Sequence, residues 1–357
     1  MTTIAAQIGN LHRSQETNQR ASQFCAIAKW ISLGRGNLGN VLHAAKAGRA
    51  DERVIEGIKA AASAGSMSDG SFAGPLAYQE LADGFLVSLR DVGAFDAALP
   101  FAKDVPLNTQ VALVTLGATA ASVGEGQSKV ISKLQLATSA LTPRKVVVIV
   151  VASAELLQVG GDRASRLFQQ ELQRAVAAET DSKFLSVIAS GISPITSSGS
   201  NAVGIANDFA ALFAGLSLGS GSKVFIAMNP SDVRHVAVQI ASTGERAFPT
   251  VGINGGDYCG ATIIASDSVS GQMIAFDATQ IAASGGTRIE LDSTSQATIA
   301  MADAPDSPPS SSTVMTSLWQ ANLVGLQIVR YFGCERLRTG AVSIIGPLNY
   351  TSANSPA

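Results

Sequence analysis

Two stretches of this 357-residue chain have glycine spacings that can do chemistry. Gly34-Arg35-Gly36-Asn37-Leu38-Gly39 satisfies GxGxxG, whose backbone amides cradle a dinucleotide pyrophosphate when a buried strand precedes it and a helix follows. Here Phe24, Ile27, Ala28 and Ile31 recur at helical spacing just before it, so a turn between two helices explains the glycines better. Gly215-Leu216-Ser217-Leu218-Gly219 fits the GxSxG nucleophile elbow, which presents a serine on a strand-to-helix turn and needs a histidine to take its proton. A helix is predicted before it instead of a strand. The one downstream histidine, His235, follows Gly219 by 16 residues inside another predicted helix. A serine hydrolase using Ser217 is therefore only an alternative reading.

The remaining candidates are weaker. His12, His43 and His235 are isolated from cysteine and from one another, with no HxxxH or HxE spacing. Cys25, Cys259 and Cys334 are odd in number and far apart, which supports neither a disulfide framework nor a CxxC metal site. Asn349-Tyr350-Thr351 is a formal glycosylation sequon without any sign of secretion. No catalytic residue, cofactor or metal is expected.

The elements that would position these residues alternate in type. Residues 20–63 read as helical, with Val54, Ile55 and Ile58 leading a second stretch, and residues 64–71 are a small-residue linker. Residues 72–99 read as extended or short-helical. The runs 111–116 and 130–136, separated by GATAASVGEG at 117–126, read as a long two-stranded arm. Residues 145–151 (KVVVIVV) are an unbroken β-branched run, expected to be a strand buried on both faces. Ser153 offers an N-cap with Glu155 in its first turn, and residues 162–188 keep a helical pattern long enough for a spine of ~40 Å at ~1.5 Å per residue. A short helix at 207–216, a strand at 223–228 and a helix started by Asn229-Pro230-Ser231-Asp232 follow, then alternating strands to about residue 299. Residues 303–312 (DAPDSPPSSS) read as a surface connection, residues 314–332 as one unusually long strand, and residues 341–345 as the closing strand. The class expected is α+β.

Composition narrows the function. Apolar residues make up 46% of the chain and charged ones 15%, against about 25% charged in ordinary soluble proteins. So few charges leave apolar surface that obligate assembly would cover. Residues 1–60 hold eight Lys/Arg against four Asp/Glu, far short of a dedicated nucleic-acid binder. No apolar run approaches the ~20 residues that cross a bilayer, and residues 1–10 lack a signal-peptide pattern, so assembly in a cytoplasm without membrane contact is expected.

Residues 117–157, GATAASVGEGQSKVISKLQLATSALTPRKVVVIVVASAELL, resemble the core signature of tailed-bacteriophage major capsid proteins: a Gly-Ala-Thr stretch, Gly-Glu-Gly, a strand, Thr-Pro-Arg, a β-branched strand, and Ser with Glu-Leu-Leu. Residues 316–346, TSLWQANLVGLQIVRYFGCERLRTGAVSIIG, resemble a second family stretch with a Trp-Gln-x-Asn strand, a basic turn and a last β-branched strand. The resemblance covers about residues 70–348 and is weakest through 190–312.

The resemblance implies the capsid fold shared with herpesvirus shell floors and encapsulins. Its parts would be a helical N-terminal segment at 1–64, an N-terminal arm at 65–104, an extended β-hairpin loop at 105–141, a peripheral domain with the spine helix at 142–191 plus 313–348, and an axial domain at 192–312. It implies a non-enzymatic, self-assembling shell of pentamers and hexamers in a virion, enclosing double-stranded DNA with weak non-specific contact, with portal and scaffold proteins as partners. An encapsulin-type compartment is the nearest alternative. Arg13, Arg20, Lys29 and Arg35 are the expected genome-facing cations, Glu245 and Arg246 in the loop 241–251 the expected axial contacts, and Lys129 and Lys133 the expected extended-loop contacts. Some family members join a loop lysine to a peripheral-domain asparagine, with an acid seven residues further on. Asn322 stands at the asparagine's place on the expected long strand, but Val329 holds the acid's, and Glu335 is flanked by Arg336 and Arg338. A shell without covalent crosslinks is the implication.

Overall fold

The computed structural model describes residues 19–24, 26–27, 29–30, 38–48, 50–63, 85–86, 88–89, 93–116, 135–153, 155–156, 161–285, 289–302, 310, 313–348 and 350. Helices come first. Residues 19–24 are helical, followed by α1 (Leu38–Ala47) and α2 (Glu52–Ser63). Asp51 caps α2, accepting from Arg53 N at 3.3 Å and from Gln23 Nε2 at 2.7 Å. The short helix α3 (Ala94–Ala98) leads to β1 (Lys103–Asp104), then β2 (Gln110–Leu116), β3 (Gln135–Ala140) and β4 (Arg144–Ser153). Helix α4 (Gly161–Ala189) has 29 residues, and α5 (Ala202–Ala214) is capped by Asn201, which accepts from Gly204 N at 2.7 Å.

Strand β5 (Val224–Met228) precedes α6 (Pro230–Val238), whose cap is Asn229 and whose first position is proline, where no amide hydrogen bond is lost. The strands β6 (Val251–Gly252), β7 (Gly255–Tyr258), β8 (Ala261–Ala265), β9 (Met273–Asp277), β10 (Ile281–Ser284), β11 (Ile289–Thr294), β12 (Thr298–Ala300), β13 (Met315–Ser317), β14 (Leu323–Arg336) and β15 (Val342–Ile345) complete the chain. The class is α+β, as expected.

Contacts divide the chain into two units. The first comprises residues 1–92, 145–176 and 287–330. In it, Val41 and Ala45 of α1 and Val54 and Ile58 of α2 are buried, Phe24 lies 5.3 Å from Phe85 between ring centroids, and β11 pairs antiparallel with residues 325–330 of β14. β4 also pairs with β14, and β12 and β13 form a separate antiparallel pair.

The second unit comprises residues 93–144, 177–286 and 331–357. Its six-stranded mixed sheet has the order β15-β9-β5-β8-β7-β6, with β5 and β8 parallel. One face of β5, carrying Val224, Ile226 and Met228, packs with Phe209 and Leu212 of α5 and Val233 and Val236 of α6. From the other face, Phe225 stacks on Phe276, which meets Phe184 of α4 edge-on, and Phe184 in turn meets Phe95 of α3. Layers on both sides explain why every residue of β5 and β9 is buried. Arg336 donates to the Ser190 carbonyl at 2.6 Å, placing a cation at the carbonyl end of α4.

Several expectations are corrected. The helix expected at 207–216 starts five residues earlier, because Asn201 supplies the cap. Between the two expected N-terminal helical stretches lies a third, α1, which already contains Gly39. The long strand expected at 314–332 is broken: β13 ends at Ser317, a turn occupies residues 318–322, and β14 begins at Leu323. Asn322, at φ 53°, lies in that turn and not on the strand, a conformation asparagine tolerates better than most residues. β4 is not buried on both faces: Val146 is buried, but Val147 and Ile149 are 38% and 56% exposed. Its β-branched composition fits a strand buried on one face as well as on two, and here the face of Val147 and Ile149 is open. Residues 65–84 of the arm expected at 65–104, the glycines at 34–36 and the tract 303–309 lie outside the described residues.

Candidate assembly surfaces

The β2–β3 ribbon is rooted in its unit and bare beyond the root. Antiparallel pairing runs from Gln110↔Ala140 to Val114↔Leu136, with an irregularity between Val114 and Leu116. At the root, Val111, Leu141 and Ala282 form a small buried cluster joined by Leu107 and Leu337, and Val114 N donates to the Leu337 carbonyl at 2.8 Å. Leu107 and Leu141 close over Gly333, where any side chain would collide with them. Above the root β3 is exposed at nearly every position, Leu136 included. A two-stranded ribbon without a packed face is marginal in water, and among the described residues this one packs on its unit only at the root. Lys129 and Lys133 lie outside the described residues.

The outward face of β4 is the second bare surface, formed by Lys145, Val147 and Ile149. At the far end of the strand, Ser153 Oγ accepts from Leu156 N at 3.2 Å, and Glu155 Oε1 accepts from Asn322 Nδ2 at 2.5 Å. This last bond joins two segments that carry half-exposed Leu156 and Trp319, which is 70% exposed. Sequence spacing singled out neither Trp319 nor the Glu155–Asn322 pair. The carboxylate comes to Asn322 from 167 residues away, and no local pattern signals it.

In the loop 241–251, Arg246 is held by its own chain. Its Nη2 donates to the carbonyls of Ala237 at 2.7 Å and Val251 at 2.9 Å, and its Nε to Ala237 at 3.2 Å. Glu245 is exposed, and its backbone carbonyl accepts from Ala241 N. The guanidinium thus fixes the loop, while the neighbouring carboxylate is left outward. Val238, Ile240 and Ile253 beside it are each at least 60% exposed. Of the four N-terminal cations, Arg20 is exposed and Lys29 lies 5.4 Å from the Trp30 ring centroid, a cation–π contact. Arg13 and Arg35 lie outside the described residues.

The catalytic alternatives are not assembled. Ser217 N donates to the Gly340 carbonyl at 2.8 Å, and the Ser217 carbonyl accepts from Gln280 Nε2 at 2.6 Å, so this segment is a packed connection after α5. His235 Nε2 lies 3.0 Å from the Ser200 carbonyl and 2.8 Å from Gln239 Nε2, engaged away from Ser217. Cys259 is exposed, and burial pushes the Cys334 thiol up to about 12, so Cys334 is no nucleophile at neutral pH. Among the described residues no group of three His, Cys, Asp or Glu is placed to hold a metal ion, and no helix is long and apolar enough to cross a membrane.

Comparison with known proteins adds a relative. The capsid polyprotein of Pseudomonas phage PAJU2 is 29% identical to this chain over 373 residues, spanning 92% of the chain. This chain is similar to a phage capsid polyprotein. The resemblance read from residues 117–157 and 316–346 is borne out by that relative. The chain spans about half of the relative's length, 54%. No protein-family model matches it. Among solved structures, a chain from Gordonia phage Cozz covers 71% of this chain and 86% of its own length at 17% identity and TM-score 0.47. A virus-like particle from Pyrococcus furiosus covers 75% and 99% at 14% identity and TM-score 0.46.

Proposed function

We propose that this chain is a structural subunit of a tailed-phage capsid, with the capsid fold of that family, whose work is self-assembly into a closed shell of pentamers and hexamers around a double-stranded DNA genome. One observation carries the reading. A single chain holds both an extended ribbon with no core of its own and a β-branched strand with one uncovered face. Copies that lay the ribbon of one over the β4 face of the next satisfy both, and repetition of that head-to-tail contact closes into rings. The relative's name, capsid polyprotein, agrees with this use. In the proposed assignment, residues 65–104 are the arm, 105–141 the extended loop, 142–191 with 313–348 the peripheral domain and 192–312 the axial domain. Portal and scaffold proteins are its expected partners, and the virion its location.

Removal of the uncovered face tests the reading. The purified wild-type chain is expected to sediment as megadalton particles. Val147→Asp with Ile149→Asp is expected to sediment as free subunits with unchanged circular dichroism. A wild-type chain that stays a monomer or dimer and hydrolyses esters through Ser217 would overturn the proposal.

A further inference from the structure

The methionines among the described residues fall into two neighbouring pairs of opposite exposure. Met228 ends β5 opposite Met273, which begins β9, and both are 0% exposed in the core of the second unit. In the first unit, Met315 begins β13 opposite Ala300 of β12, and Met301 is the next residue. Met301 is 55% exposed, Met315 47%, and Val314 beside them 80%. Among the described strands β12 and β13 pair only with each other. Their open end therefore presents two thioethers to water.

We propose that Met301 and Met315 form a site of reversible oxidation, at which a peroxide converts two exposed thioethers to sulfoxides without disturbing the fold. The sulfur lone pair attacks one peroxide oxygen: an S–O bond forms and the O–O bond breaks. Sulfur loses two electrons, and the other oxygen leaves as water with both protons. A thioether has no proton to give up, so the step needs exposure and not a neighbouring base. A thiol-dependent methionine sulfoxide reductase reverses it, the oxygen leaving as water while two thiols become a disulfide.

Burial decides which sulfurs react. Met228 and Met273 sit on central strands of the six-stranded sheet, with β5 between β9 and β8. An oxidant reaches them only after those strands open, and an oxygen added there would place a polar group in a packed core. At Met301 and Met315 the added oxygen is solvated from the start. The pairs Thr298↔Ser317, Ile299↔Thr316 and Ala300↔Met315 are made by backbone, so the ribbon survives the change. Its end turns from apolar to polar. The inference rests on side-chain exposure in one chain and stands whether or not the chain builds a shell.

Peroxide titration of the unassembled full chain, read by tandem mass spectrometry, tests the site. Oxygen is expected at Met301 and Met315 at least about tenfold faster than at Met228 and Met273, which must wait for the core to open. Circular dichroism and the denaturation midpoint should be unchanged when both exposed methionines carry one oxygen each. Met301→Leu with Met315→Leu should abolish the rapid uptake and leave the slow rate at Met228 and Met273. Met1 and Met67, outside the described residues, are read separately and do not enter the comparison. Methionine sulfoxide reductase with dithiothreitol should return Met301 and Met315 to their original mass. Equal rates at the four positions, loss of structure at that dose, or sulfoxides that resist the reductase would overturn the proposal.

Discussion

The Tyr350 hydroxyl donates to Asp208 Oδ2 at 2.7 Å, tying the C-terminal segment to the middle of α5. Both residues are fully buried. The same carboxylate accepts from Ser197 Oγ and Ser198 N, each at 2.6 Å, so one side chain anchors the loop before α5 and the tail after β15. Burial, more than the Asp208 contact, pushes the Tyr350 hydroxyl well above the usual phenol range, and it remains a donor at any ordinary pH.

Tyr350→Phe is accordingly expected to lower stability by about 1–3 kcal/mol, the cost of withdrawing one donor from a buried carboxylate. Asp208→Ala should cost more, since three donors lose their acceptor together. Chemical denaturation of the unassembled chain reads both, with Tyr350→Phe as the milder variant.

Elements whose boundaries are set by local chemistry were legible in the sequence. Asn229 with Pro230 starts α6 where expected, Ser153 caps the turn at Glu155, and α4 runs within a residue of the expected span at each end. What escaped was decided at a distance. Nothing near residue 322 announces that Glu155 will meet Asn322, or that the 314–332 run will turn there. The β4 run was misread as buried on both faces because an unbroken β-branched run fits a strand buried on one face as well as on two, and here Val147 and Ile149 are exposed. Met301 and Met315 flank a long tract in the sequence, and only the pairing of β12 with β13 brings them to one end of a ribbon.

Phe184→Ala is expected to destabilise the second unit by about 3–5 kcal/mol, the range for emptying a buried aromatic site. Its ring lies 5.2 Å from Phe95 and 5.3 Å from Phe276, both edge-on, so two aromatic contacts go with it. Phe184→Leu should cost less than half as much. Equal losses for the two variants, measured by the same denaturation, would show that the pocket collapses around the missing ring.

Covalent crosslinking is not expected. Joining a lysine to an asparagine needs a water-excluded carboxylate to take the lysine proton. Asn322 has a carboxylate partner in Glu155, but both side chains are exposed, and Val329 occupies the position where the related chemistry places its acid. Particles boiled in detergent should give one band at about the 36.5 kDa chain mass, whereas a ladder of multimers would assign Glu155 the role denied it here.

Electron cryo-microscopy of particles purified from the expressed chain reads the assembly itself. A closed shell with five-fold and six-fold clusters is expected, in which the β2–β3 ribbon of one subunit lies over Val147 and Ile149 of its neighbour, with nucleic-acid density inside when the particles come from infected cells. A shell filled with protein cargo would assign it to a compartment instead. Dispersed monomers, or particles in which Val147 and Ile149 face solvent, would rule out assembly through the β4 face.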